Sequence, residues 1–385
     1  MISRAAALLL AAALFLAACS STDSDTGSSG ETTTPTPQAS AETAASEDST
    51  SESTTSESTA PETTMPQEST PTTNDGSCRP VAGVENEPGQ QDAVQIELQA
   101  ADNTYPVRLY IPGDSPLAAA ADGRYPVVLN WHGLGSDGFQ QALLTNYETL
   151  AEAEGFMVVH PTGAVGSATA DGQGPQTGWE LAPFDVPGRD DLAMAEALID
   201  RLVSDYCADP DRVYSTGLSN GGFFTSRLVC ELADRIAAAV TVAGVAHPDD
   251  CSPSRAVAIM AFHGTADGIV PFDGGPSALA GSDAPPELVE FFEQVMPDEL
   301  AAFATDFDCE PEPEITPISD EVIAYDYPNC ADDVAVRFIE INDGGHTWPG
   351  SFLGAFMTEA LGPTTTDVSA TSEGWRFMSR YSLDQ

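Results

Sequence analysis

The chain has 385 residues, with 60 Asp and Glu against 13 Lys and Arg, a formal net charge of −47. Every basic residue is arginine. A surface of this sign repels polyanions, which excludes nucleic acid and anionic lipid headgroups as partners.

Residues 1–18 carry Arg4 and then an apolar run from Ala5 to Ala18. That run is about 14 residues, short of the roughly 20 that span a bilayer core, and it reads as a signal peptide. Leu16-Ala17-Ala18-Cys19 resembles a bacterial lipobox. Lipid on Cys19 would hold the protein on the outer face of the cell membrane, its only membrane contact. Residues 19–77 are Ser, Thr, Glu and Pro with few apolar side chains. They cannot bury enough surface to offset their ordering entropy and are expected to form a disordered spacer. Residues 78–385 show no second shift in composition and no repeat, so one domain is expected, acting as a monomer.

Val94 to Leu98 and Val107 to Ile111 alternate apolar and polar residues, as an outer antiparallel hairpin should. Tyr125 to Leu129, Met157 to Val159, Val213 to Thr216, Ala238 to Val242 and Val257 to Phe262 are denser in apolar residues, which suits a parallel sheet covered on both faces. Helical stretches fall between them: Gln140 to Glu154 closed by Gly155, Leu192 to Asp205, and Phe223 to Ala233. Val334 to Ile341 alternates again, like an edge strand, and a last helix is expected near Glu373 to Tyr381. This alternation predicts a doubly wound, mostly parallel sheet of about eight strands with helices on both faces, and the residues considered below imply its α/β-hydrolase form.

Seven cysteines are present, and setting Cys19 aside leaves six, an even number in an exported chain. Cys309 and Cys330 bracket one insertion and make the readiest pair. Cys78, Cys207, Cys230 and Cys251 allow three connectivities. No Cys-x-x-Cys or paired-His spacing points to a metal, and neither metal nor organic cofactor is expected.

Gly217-Leu218-Ser219-Asn220-Gly221 lies between a strand and a helix. So sharp a turn strains the serine backbone, and a Cβ at either flank would collide with its neighbours. Ser219 is the candidate nucleophile. A hydroxyl needs a base, and the base needs a carboxylate to hold its tautomer. Of the five histidines, His346 alone follows Ser219 on a loop directly after a strand with an acid between them in the order this architecture requires. The acid is assigned to Asp267, the first carboxylate after a buried strand, ahead of Asp273 and Asp343. Asp343 is the better loop stabiliser. Two donors are needed for a tetrahedral oxyanion, and the backbone N–H groups of Asn220 and Leu134 are the candidates. Trp179 and Trp348 are candidates for lining the site, since aromatic faces suit phenolic groups and sugar rings.

Trp131-His132-Gly133, Asp209 to Gly222, His263 to Asp267 with Val270-Pro271, and Gly344 to Gly350 together resemble secreted esterases of the polyhydroxybutyrate depolymerase type, related to feruloyl and acetylxylan esterases. The resemblance covers most of residues 78–385. It implies hydrolysis of feruloyl, acetyl-polysaccharide or hydroxyalkanoate esters, on small or polymer-linked substrates, with Ser219, Asp267 and His346 in the roles above. It also implies the Cys309–Cys330 pair. The sequence departs from the family in the acidic stretch before Cys309, which lacks the usual tryptophan-bearing helix, and in having no polymer-binding module. Acyl transfer or peptide hydrolysis by the same residues is one alternative. A surface-binding lipoprotein with an unused hydrolase fold is another.

Overall fold

The computed structural model describes Cys78 and residues 93–113, 123–168, 175–181, 189–280 and 284–384. The leader, Cys19 and the spacer expected over 1–77 lie outside the described residues.

Strands β1 (Val94–Ala100) and β2 (Asn103–Tyr110) form the expected antiparallel hairpin. Its two-residue turn, Ala101-Asp102, takes φ of 46° and 59°, the left-handed pair whose twist matches a hairpin. β2 then pairs antiparallel with β4 (Met157–Pro161). From β4 the sheet is parallel across β3 (Tyr125–Trp131), β7 (Ala208–Leu218), β8 (Ala238–Val242), β9 (Ala258–Gly264) and β12 (Val336–Ile341). Every residue of β4, β8 and β9 is buried, as continuous apolar runs require in a sheet covered on both faces. A two-stranded sheet, β5 (Val165–Ala168) with β6 (Pro175–Thr177), stands apart.

The main sheet has ten strands rather than about eight, in the order β1-β2-β4-β3-β7-β8-β9-β12-β11-β10. β11 (Val322–Tyr327) and β10 (Glu314–Pro317) continue it antiparallel beyond β12. β12, expected at the edge, is therefore an inner strand. The edge is β10, exposed along its whole length and ended by Pro317, which cannot donate to a further strand.

The helix expected over 140–154 is two helices, α1 (Gly138–Thr145) and α2 (Tyr147–Glu154). Asn146 breaks it with φ 53° and ψ 29°, and its N–H closes α1 on the Ala142 carbonyl. Asn is among the few residues that tolerate this left-handed geometry. Among the described residues the remaining α-helices are α3 (Asp191–Asp205), α4 (Asn220–Glu231), α5 (Pro286–Phe291), α6 (Met296–Asp306), α7 (Gly354–Leu361) and α8 (Ala370–Met378). Among the described residues no helix is long and apolar enough to cross a membrane.

Three disulfides close the remaining choice: Cys78–Cys207, Cys230–Cys251 and the expected Cys309–Cys330. They fit folding in an oxidising compartment. Cys78–Cys207 spans 129 residues and the other two span 21 each. Loop-closure entropy gives about 5 kcal/mol for the long loop and about 3 kcal/mol for a short one. Urea unfolding of Cys78→Ser/Cys207→Ser should therefore show a larger loss than Cys230→Ser/Cys251→Ser. Equal losses, or the reverse order, would contradict the loop-length account.

His132 and His160 sit at the ends of β3 and β4 and are both fully enclosed. Burial pulls His132 down to about 4, opposed in part by the Gly133 carbonyl. Burial, with the charge of Arg108, pulls His160 to about 3. The unfolded chain takes up protons below about pH 6.5 that the fold refuses. The stabilising contribution is whole above that value and is lost as pH falls towards 4, by up to about 3 kcal/mol for each histidine. Denaturant midpoints should thus drop between pH 7 and pH 4.5, measured in about 0.5 M salt to screen the acidic surface. A flat or rising midpoint would contradict this.

Candidate active site

β7 delivers the chain to Ser219 at φ 56° and ψ −119°. A non-glycine residue held there carries strain of about 1–3 kcal/mol, which persists only where the surroundings over-determine it. They do so through close backbone contact. A Cβ on Gly217 would lie 2.3 Å from the Gly221 carbonyl oxygen, and one on Gly221 would lie 2.3 Å from that of Trp131. Both flanking positions must be glycine, as the sequence implied. Ser219 N–H donates to the Val242 carbonyl at 2.8 Å, pinning the turn to the end of β8.

The turn after β9 carries Asp267, whose carboxylate is buried. Its Oδ1 accepts the N–H groups of Ile269 and Val270, each at 2.9 Å. Its Oδ2 faces His346 Nδ1 at 2.8 Å. A carboxylate can only accept, so Nδ1 carries the proton and Nε2 is left as the basic nitrogen. Burial works to raise the Asp267 pKa, but the charge and hydrogen bond of His346, the charge of His263 and the Val270 N–H outweigh it. The net direction is down, and the group is a carboxylate. His263 Nε2 donates to the Val270 carbonyl at 2.9 Å and lies 3.4 Å from Asp267 Oδ2. Burial lowers the His263 pKa, opposed by the charge of Asp267 and by the Val270 carbonyl.

His346 follows β12 on a loop locked by its own backbone. Its N–H donates to the Leu361 carbonyl at 2.6 Å, and Gly345 N–H donates to that of Pro363 at 2.8 Å. A Cβ on Gly345 would stand 2.1 Å from the Leu361 carbonyl oxygen. Ala266 N–H reaches the Gly344 carbonyl at 2.9 Å, tying the acid and histidine loops together. The rival acids take no part, since the side chains of Asp273 and Asp343 are both exposed. Asp343 supports its loop through its N–H to Thr265 Oγ1.

Because β7, β8, β9 and β12 are parallel neighbours, Ser219, Asp267 and His346 all leave the sheet at one rim. His346 and Leu218 line a common recess with Leu144, Trp348 and Met357, of about 10 Å³, room for a single water at most. Ser219 is half-buried. Among the described residues its hydroxyl is not hydrogen-bonded to His346, a contact that in many unliganded sites closes only around substrate.

Gly133 passes so close that a Cβ on it would lie 3.5 Å from Ser219 Cβ, which brings the Leu134 segment alongside the nucleophile turn. Neither Leu134 N–H nor Asn220 N–H meets a backbone acceptor among the described residues. Trp348 borders the recess, although its indole N–H is committed to Thr371 Oγ1 at 2.9 Å. Trp179 does not line the site as expected. Its ring is 2% exposed, stacks on Phe224 at 5.4 Å and meets Trp131 edge-on at 5.0 Å. Its indole N–H is given to the His132 carbonyl at 2.9 Å, and the ring is packed into the core. The Asn220 side chain, which carried no separate sequence signal, is paired with the Trp179 backbone.

A parallel sheet with a strained serine between strand and helix, and a buried carboxylate–imidazole pair at the same rim, make up the α/β-hydrolase fold. The similarity of this chain to known proteins points the same way. It is 33% identical over 145 residues to the bifunctional acetylxylan esterase/xylanase XynS20E of Neocallimastix patriciarum, covering 38% of this chain and 20% of that one. It is 27% identical over 237 residues to feruloyl esterase B of Piromyces equi, covering 60% of this chain and 41% of that one. A protein of Nocardia uniformis subsp. tsuyamanensis, NocK, whose esterase name is itself provisional, is 26% identical over 294 residues, 73% of this chain and 81% of that one. No family model matches the chain. The likeness to feruloyl and acetylxylan esterases read from the motifs is thus borne out over the 38% and 60% of the chain that these two relatives match.

Proposed function

We propose that the protein is an exported serine esterase that hydrolyses acetyl or feruloyl esters of polysaccharide, or hydroxyalkanoate esters, through an acyl-Ser219 intermediate. The observation that carries this is the 2.8 Å contact between His346 Nδ1 and Asp267 Oδ2 at the rim where the strained Ser219 turn emerges. Names of the relatives support the ester substrate class. Cys19 is proposed to carry lipid and 19–77 to hold the domain off the outer face of the membrane.

In this reading the Ser219 proton passes to His346 Nε2 as the oxygen attacks the ester carbonyl. Leu134 and Asn220 N–H groups stabilise the oxyanion, and Asp267 stabilises the imidazolium. The same proton goes to the departing alkoxide. A water then gives a proton to the imidazole, attacks the acyl carbonyl and releases the acid, with Ser219 recovering its proton.

A fluorophosphonate should label Ser219 with one equivalent per chain. A panel of hydroxycinnamoyl esters, acetylated xylan and hydroxybutyrate oligomers should then show turnover of at least one. No labelling and no turnover would leave a binding protein with a hydrolase fold. Preference for a peptide anilide, or product formed only with an added alcohol acceptor, would indicate peptidase or transferase chemistry.

A further inference from the structure

One short segment, Gln176 to Trp179, touches both of the proposed oxyanion donors from opposite sides. On the Leu134 side, the Thr177 carbonyl accepts Gly135 N–H at 2.8 Å and Thr177 Oγ1 donates to the Ser136 carbonyl at 2.5 Å. A Cβ on Gly178 would lie 2.9 Å from Leu134 Cδ1, and the Trp179 indole N–H holds the His132 carbonyl. On the Asn220 side, Trp179 N–H donates to Asn220 Oδ1 at 2.7 Å, and Asn220 Nδ2 donates back to the Trp179 carbonyl at 3.1 Å. The Asn220 amide thus pairs with backbone as a neighbouring strand would. The same hypothetical Gly178 Cβ would come 3.0 Å from Asn220 Oδ1, so at Gly178 the segment lies close against the side chains of both donor residues.

The segment is itself anchored. Asp191, fully buried at the start of α3, accepts Glu180 N–H at 2.7 Å, the Tyr105 hydroxyl at 3.1 Å and Arg189 Nε at 2.9 Å. Arg189 also donates to the carbonyls of Gly178 and Ala164. Arg227, on the helix that begins at Asn220, donates to the Glu180 carbonyl at 3.1 Å.

We infer that residues 176–179 form a strap that sets the separation and aim of the two oxyanion donors, with the Asn220 side chain and Trp179 as positioning residues. The inference rests on the esterase reading above. Asn220 then has two separate roles: its backbone N–H meets the developing charge, and its amide fixes where that N–H points. Donors of this kind act by being held in place before charge develops, so slack is felt in the transition state rather than in substrate binding.

The test is Asn220→Ala, which keeps the backbone donor and removes the link to Trp179, together with Trp179→Phe, which keeps an aromatic ring and removes the bond to the His132 carbonyl. With wild type labelled at Ser219 and turning over an ester, Asn220→Ala should lower kcat by about 10–100-fold with KM within about twofold, a fraction of the effect of losing a donor outright. The rate of fluorophosphonate labelling should fall in the same proportion, while its end point stays at one equivalent. Trp179→Phe should reduce kcat and labelling rate together by a smaller factor. If Asn220→Ala does not fold, Trp179→Phe decides alone. Unchanged kcat, or a rise in KM with labelling rate unaffected, overturns the strap. A wild-type protein that neither labels nor hydrolyses overturns the esterase reading instead.

Discussion

Ser219→Ala is expected to reduce kcat by roughly 10⁵–10⁶-fold, and Asp267→Asn by about 10⁴-fold, because in the proposed mechanism these groups act as a unit with His346. Asp343→Asn should leave kcat within about twofold, since the structure uses only the backbone N–H of this residue and its side chain faces solvent. The contrast is sharp because Asp343 is three residues from His346 in sequence and Asp267 is 79 residues away. In Asp267→Asn the amide can donate where the carboxylate only accepted, and it no longer fixes the proton on Nδ1. The variant should nonetheless be folded, because an amide oxygen at Oδ1 can still accept from Ile269 and Val270. Steady-state kinetics on one chromogenic ester, with circular dichroism of each variant, makes the comparison. A crippling Asp343→Asn beside a mild Asp267→Asn would show that the carboxylate has been misassigned.

A large stability effect is expected at Gly221→Ala. The added Cβ would meet the Trp131 carbonyl oxygen at 2.3 Å and that of His132 at 2.8 Å, both backbone atoms of the strand end that carries the proposed oxyanion loop. Neither can step aside without opening the β3–β7 pairing, so the loss should exceed about 4 kcal/mol, or the protein should fail to accumulate folded. Gly268→Ala, beside Asp267, is the control. No atom lies within 4 Å of its added Cβ, and its stability should stay within about 0.5 kcal/mol of wild type. Urea unfolding and soluble yield measure both. A tolerated Gly221→Ala would mean the turn is looser than these contacts require.

Much of the site was legible in the chain because its demands are local. Glycines around Ser219 are dictated by atoms a few residues apart. The order of serine, carboxylate and histidine follows from one loop after each successive strand. The Cys309–Cys330 pair closes a single insertion. Elsewhere local pattern misled. Val334 to Ile341 alternates like an edge strand, yet β11 and β10 lie beyond it. β10 is exposed along its whole length, so its strand character comes from pairing with β11 rather than from a buried face. Trp179 looked like a site aromatic, and only the positions of Phe224 and Trp131 show that it is packed into the core.

The strand–helix alternation, the strained turn and the side chains able to supply an alcohol, an imidazole and a carboxylate are all written in the order of the residues. These follow from sterics and periodicity acting over a few residues. Tertiary structure decided that Asp267 rather than Asp343 meets His346, how four cysteines pair, and that the Asn220 amide is held by the Trp179 backbone 41 residues away. Those outcomes depend on the register of β7, β8, β9 and β12 and on how loops stack at their ends, and no short stretch of chain contains that information.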